Sequence, residues 1–193
     1  MLWTCLAVPL HSEIKEQTDG GVRTIIVCFE EEYSSEAFRE MKTEVASILR
    51  PAGISVIWSR LKEHRPPEVV GEIVVARFKG SCGIAQQAPY SAEVRVLGWT
   101  YVTDGKVLPF VWVECDHVRT LIGSYIDGRR RRGGARLGRA LGRVLAHEIF
   151  HVLSGWVKHR SWGLAKSFFT ADDLVADHFG LDPKEVKALR KGR

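Results

Sequence analysis

The sequence predicts an α+β domain in which a mixed β-sheet packs on helices. Three observations carry this. A strand–helix–strand pattern spans Arg23 to Trp58, a hairpin signal sits at Thr103-Asp-Gly-Lys106, and a long apolar helix runs from Leu137 to Leu153. A chain of 193 residues fits one domain, 1–193, with a substantial core. No repeat or long linker divides it. Its 45% apolar and 26% charged content belong to a globular rather than a disordered chain. No apolar run reaches the roughly 18 residues that a membrane span needs.

The elements follow in order. Leu2 to Leu10 is apolar and reads as a first strand, or as the tail of a signal peptide whose start lies upstream. The compartment therefore stays open. Arg23–Phe29 is a buried strand. Phe38, Met41, Val45, Ile48 and Leu49 recur at helical spacing and stop before Pro51 and Gly53. Gly53 to Trp58 restarts as a strand, which makes a crossover unit with two parallel strands. Glu72 to Phe78 is a third strand. Gly80 to Ser91 reads as a loop, and Val94–Val102 and Val107–Val113 as strands joined at Asp104-Gly105. Asp116 is placed to cap a helix running to about Ile126. Short helices at Thr170–Phe179 and Pro183–Arg190 close the chain.

The chemistry concentrates in His147-Glu148-Ile149-Phe150-His151. Helix residues four apart share a face, so both imidazoles can grip one zinc ion. Glu148 is turned about 100° away and flanks the metal, where it can take a proton from an attacking water. The spacing is the signature of zinc peptidases. Apolar residues lie on nearly every side of this helix, so it is buried. Two histidines and a glutamate inside it need partners, and a metal with its water supplies them.

A catalytic zinc keeps three protein ligands and one open position. Gly155 can end the helix in a left-handed conformation. The chain can then return His159 to the metal as third ligand. The alternatives are Asp172, Asp173 and Asp177, although Thr170 as an N-cap would place the first two in a helix's first turn. Lys158, Arg160, Lys166 and His178 are candidate oxyanion donors.

His-Glu-x-x-His followed by a glycine and a third histidine resembles the metzincin branch of the zincin metallopeptidases. In that pattern Gly and His stand three and six residues after the second His; here they stand four and eight after. The Met-turn is missing, since the methionines are Met1 and Met41, and no tyrosine follows Tyr125. A closer resemblance is to a group of small, largely uncharacterised bacterial zinc metalloproteases. It rests on Leu153-Ser154-Gly155, His159-Arg160-Ser161 and Gly163-Leu164-Ala165, where Ala165 replaces a methionine. Ala52 to Trp58 and Cys82-Gly83-Ile84-Ala85 extend it upstream. The resemblance implies a zincin-like fold: a mixed sheet on a backing helix and a central active-site helix (1–155), then a short C-terminal helical part (156–193). It also implies a peptidase-like site with one zinc ion. In such folds an edge strand beside the metal can hold a peptide substrate by strand addition, and the Tyr101-to-Trp112 hairpin is the candidate edge.

Two features point elsewhere. Arg129 to Arg132, with Arg136, Arg139 and Arg143, supplies much of the net charge of +5. Such a run can bind nucleic acid or an anionic surface, but without interleaved aromatics it reads first as a solvated loop. Cys5, Cys28, Cys82 and Cys115 form no Cys-x-x-Cys pair. They read first as buried free thiols, with two disulfides in any of three connectivities as the alternative. A non-catalytic zinc protein is the remaining rival, and it would close the site with a fourth ligand.

Overall fold

Strand β1 (Arg23–Phe29) lies inside a five-stranded sheet, with Ile25 and Val27 fully buried. The computed structural model describes residues 22–30, 35–61, 71–84, 96–126 and 132–192. Helix α1 (Glu36–Leu49) begins where the Ser35 hydroxyl accepts the Phe38 N–H at 3.2 Å. It buries the five apolar residues whose spacing predicts it. Pro51 tightens its end into a 3₁₀ turn, and Gly53 turns the chain at φ 77° into β2 (Ile54–Arg60). That left-handed angle suits glycine. Strand β2 pairs in parallel with β1, and β3 (Glu72–Lys79) pairs in parallel on its other side.

The hairpin forms as its turn chemistry requires. Asp104 at φ 48° and Gly105 at φ 72° are both left-handed, the type I′ pattern that suits the twist of a hairpin. It joins β4 (Gly98–Thr103) to β5 (Lys106–Glu114), and β5 pairs in parallel with β3. Sheet order is β2-β1-β3-β5-β4, so β4 is an edge among the described residues. Pro109 has no N–H for the ladder and falls where the β4–β5 register shifts. The structure is thus a mixed, mostly parallel sheet with helices, as the sequence predicts.

Helix α3 (Gly133–Ser154) carries the motif and is buried along most of its length. Gly134, Gly138 and Gly142 make a stripe against α1. A methyl at Gly142 would stand 2.7 Å from the Glu44 Cβ, and one at Gly138 would overlap the Ala37 carbonyl oxygen. Only glycine lets the two backbones approach this closely. Gly138→Ala should therefore destabilise the chain by about 1–3 kcal/mol through overpacking. It should do so despite the roughly 1 kcal/mol that alanine gains in a helix. Urea unfolding checks this; a variant as stable as its parent would refute the close packing.

Several expectations are corrected. Helix α2 (Cys115–Leu121) is not capped by Asp116, whose carboxylate instead accepts Ser81 N–H at 3.1 Å and Arg119 Nη2 at 2.6 Å. Helix α4 (Ala171–Val175) is shorter than expected. Arg143 donates to the Asp173 and Ala176 carbonyls at 2.6 Å, and Arg139 to that of Val175 at 3.0 Å. Those carbonyls are satisfied without another helical turn. Cys82 and Cys115 are not free thiols but a disulfide with Cα atoms 5.0 Å apart. The pairing of Lys79 with Glu114 across β3 and β5 brings their flanking segments together. Closing 33 residues contributes about 3–4 kcal/mol on the chain-entropy account. Cys28 is free and half-buried on β1; Cys5 and the Leu2–Leu10 stretch lie outside the described residues.

The basic stretch divides. Arg129 to Arg131 lie outside the described residues. Arg136 donates to the Tyr125 carbonyl at 2.9 Å, Arg139 pairs with Asp177, and Arg143 is fully buried. These three tie α3 to its neighbours. Helix α5 (Pro183–Lys191) starts at a capping box of Asp182 and Glu185. No described helix is long and apolar enough to cross a membrane.

Candidate metal centre

The last turns of α3 present His147, Glu148 and His151, all buried. Gly155 ends the helix at φ 69°, donating its N–H to the His151 carbonyl at 3.0 Å. The stop brings the Trp156 carbonyl back to His151, whose Nδ1–H donates to it at 2.6 Å. The loop beyond folds on itself: Arg160 N–H donates to the Ala165 carbonyl at 2.8 Å, and Ser167 N–H to that of Arg160 at 3.1 Å. This hairpin carries His159 to the motif and places the Leu164 carbonyl 2.6 Å from His147 Nδ1.

The three imidazoles converge. His159 stacks on His147 with ring centres 5.2 Å apart and meets His151 edge-on at 4.9 Å. Nε2 of His147 lies 3.1 Å from that of His151 and 3.3 Å from that of His159. Ligands at about 2.0–2.1 Å from a tetrahedral ion stand about 3.3–3.4 Å apart; these two separations are close to that, and all three ligand atoms lie within 4.8 Å of one another. The protonation pattern fits too. His147 and His151 spend their Nδ1 protons on carbonyls, which leaves lone pairs on the facing Nε2 atoms. Two lone pairs at 3.1 Å repel unless a cation lies between them. Burial, with the charge of His151 adding to it, pushes His147 down to about 3, and burial also lowers His151. Neutral imidazole is the form that ligates metal.

Glu148 lies beside the cluster, toward β4. Burial pushes its carboxyl up to about 7, against the lowering effect of a hydrogen bond from Thr100. The Thr100 hydroxyl donates to Oε2 at 2.7 Å, which leaves Oε1 to exchange protons. Gly98 permits the approach of β4, since a Cβ there would stand 2.7 Å from the Trp112 carbonyl oxygen and 2.9 Å from Val144. A cleft of about 630 Å³ opens over the cluster between β4 and the segment 167–171.

No family model and no curated protein matches the sequence. Among solved structures, the crystal structure of archaemetzincin from Methanopyrus kandleri matches with a TM-score of 0.50, at 10% identity. The match covers 90% of this chain and 96% of that one. The two share a fold; at that identity the chemistry has to be argued from the residues.

Among the described residues, His147, His151 and His159 form the group that could hold a metal ion. The carboxylates considered for the third position are engaged elsewhere. Asp172 accepts the Tyr125 hydroxyl, Asp177 pairs with Arg139, and Asp173 closes the α4 capping box and pairs with Lys166. None of the proposed oxyanion donors lines the cleft. Arg160 pairs with Asp182 at 2.6 Å and Lys166 with Asp173, while Lys158 and His178 point outward as exposed residues. Sequence reasoning missed Thr100, the carbonyls of Trp156 and Leu164, and Phe169, which packs edge-on to His147 at 5.4 Å. Backbone acceptors leave no residue-type signal, and Thr100 stands 48 positions from its partner.

Proposed function

We propose that this chain is a zinc-dependent hydrolase that cleaves peptide bonds. The observation that carries it is the convergence of three imidazole Nε2 atoms beside a buried glutamate, on the floor of a cleft walled by an edge strand. His147, His151 and His159 would hold the ion. Zinc there supplies Lewis acidity toward a carbonyl and makes water a better acid. Glu148 receives the proton of the attacking water at Oε1 and passes it to the leaving amine. The ion's charge would pull the raised Glu148 pKa back down, keeping the carboxylate ready as a base. Thr100 holds Oε2 and so fixes the direction from which Oε1 works. The edge of β4, unpaired by another strand among the described residues, offers backbone groups to an extended peptide. Val96, Val102, Val107, Leu121 and Phe168 line the cleft, and no lysine, arginine or aspartate does among the described residues. That lining favours apolar side chains next to the scissile bond.

His159→Ala tests the ligand set. Competition with a chelator should show zinc bound more weakly by more than the roughly 10–100-fold that loss of a supporting partner costs. Asp173→Ala should leave affinity unchanged. The reverse pattern would overturn the three-histidine assignment.

A further inference from the structure

We infer that Glu185, on the last helix, is a positioning residue for the metal centre; the inference rests on the zinc reading above. Glu185 is fully buried, yet it lies 34 positions beyond His151 and outside the cleft. Its carboxylate makes two bonds. Oε2 accepts the Asp182 N–H at 2.8 Å, which closes the α5 capping box. Oε1 accepts the Ala165 N–H at 2.8 Å, which capping does not require. Ala165 follows Leu164, whose carbonyl takes the Nδ1 proton of His147. The carboxylate thus holds the peptide unit that orients the first ligand.

Two further features give the arrangement its shape. Gly163 adopts φ 79°, and a Cβ there would collide with the Glu185 carboxylate. The turn is therefore built to admit that group. Asp182 accepts Arg160 Nη1 at 2.6 Å and Trp162 Nε1 at 3.1 Å, and Arg160 adjoins His159. The start of α5 therefore grips the ligand loop at both ends, next to His159 and beneath His147. Partners that orient a ligating histidine fix its tautomer as well as its direction. Here that role passes from a carboxylate through one turn of backbone.

The test compares Glu185→Ala and Glu185→Gln with Leu189→Ala, which empties a fully buried site on the same helix without touching the turn. Two quantities are measured below each variant's unfolding temperature. The first is zinc affinity by chelator competition. The second is the His147 tautomer in metal-free protein, by imidazole nitrogen NMR. Glu185→Ala should weaken zinc about 10–100-fold, the range for lost ligand-orienting partners, and should lose the fixed Nδ1–H tautomer. Glu185→Gln keeps an acceptor for Ala165 and should recover much of both. Leu189→Ala should change neither. If Glu185→Ala binds zinc as its parent does with the tautomer intact, or if Leu189→Ala weakens zinc as much, the inference is overturned and the zinc reading stands. If the parent chain binds no zinc, both fall.

Discussion

Glu148→Gln should lower peptide hydrolysis by about 10²–10⁴-fold, the range attributed to a positioned general base. It should leave zinc binding at one ion per chain. The amide matches the carboxylate in shape and can still accept the Thr100 hydroxyl, so the surrounding packing is kept. What it cannot do is take a proton from water. Because the side chain is almost fully buried, bulk buffer is a poor substitute. Turnover and metal content measured on the same preparation decide the matter. Unchanged turnover would remove Glu148 from the mechanism. Loss of zinc together with activity would make the residue structural.

Arg143→Ala should destabilise the fold by about 3–5 kcal/mol, the cost of breaking a buried charge arrangement. The side chain is 1% exposed and serves three elements at once. It pairs with Glu44 of α1 at 2.8 Å, donates to the Asp173 and Ala176 carbonyls, and lies over the Phe179 ring at 4.7 Å. Burial lowers the guanidinium pKa, while Glu44 acts to keep it charged. Alanine would take the Arg143 donor from the Asp173 carbonyl and the Glu44 carboxylate, leave the Ala176 carbonyl only the longer bond from Arg139 at 3.4 Å, and open a cavity beside them. For a domain of this size each kcal/mol is worth about 2–4 °C, so calorimetry should show a drop on the order of 10 °C. A shift within a degree or two would mean that α4 is held by other contacts.

Legibility followed the range of the interactions. Apolar periodicity placed β1 and α1 closely, because each buried face is written in local spacing. Asp104-Gly105 forms the turn it predicts because φ is a property of the residues themselves. His147 and His151 share a face because four residues make about one helical turn. Helix α4 stops early for a reason invisible nearby: arginines from α3 take its carbonyls. Cys82 and Cys115 meet only because β3 and β5 pair.

By itself the sequence determined the motif-bearing helix, its glycine stop, the strand–helix–strand start and the hairpin, all set within about a dozen residues by backbone preference and apolar periodicity. Only the tertiary structure decided that His159, rather than an aspartate, meets the two helical histidines. It alone placed Thr100 on Glu148, Leu164 on His147 and Glu185 behind that turn. Those contacts join residues 8 to 48 positions apart, and two of the partners are a backbone carbonyl and a backbone N–H that almost any residue type could supply. Spacing rules reach one turn of helix or one strand, whereas the site is assembled by how those pieces pack.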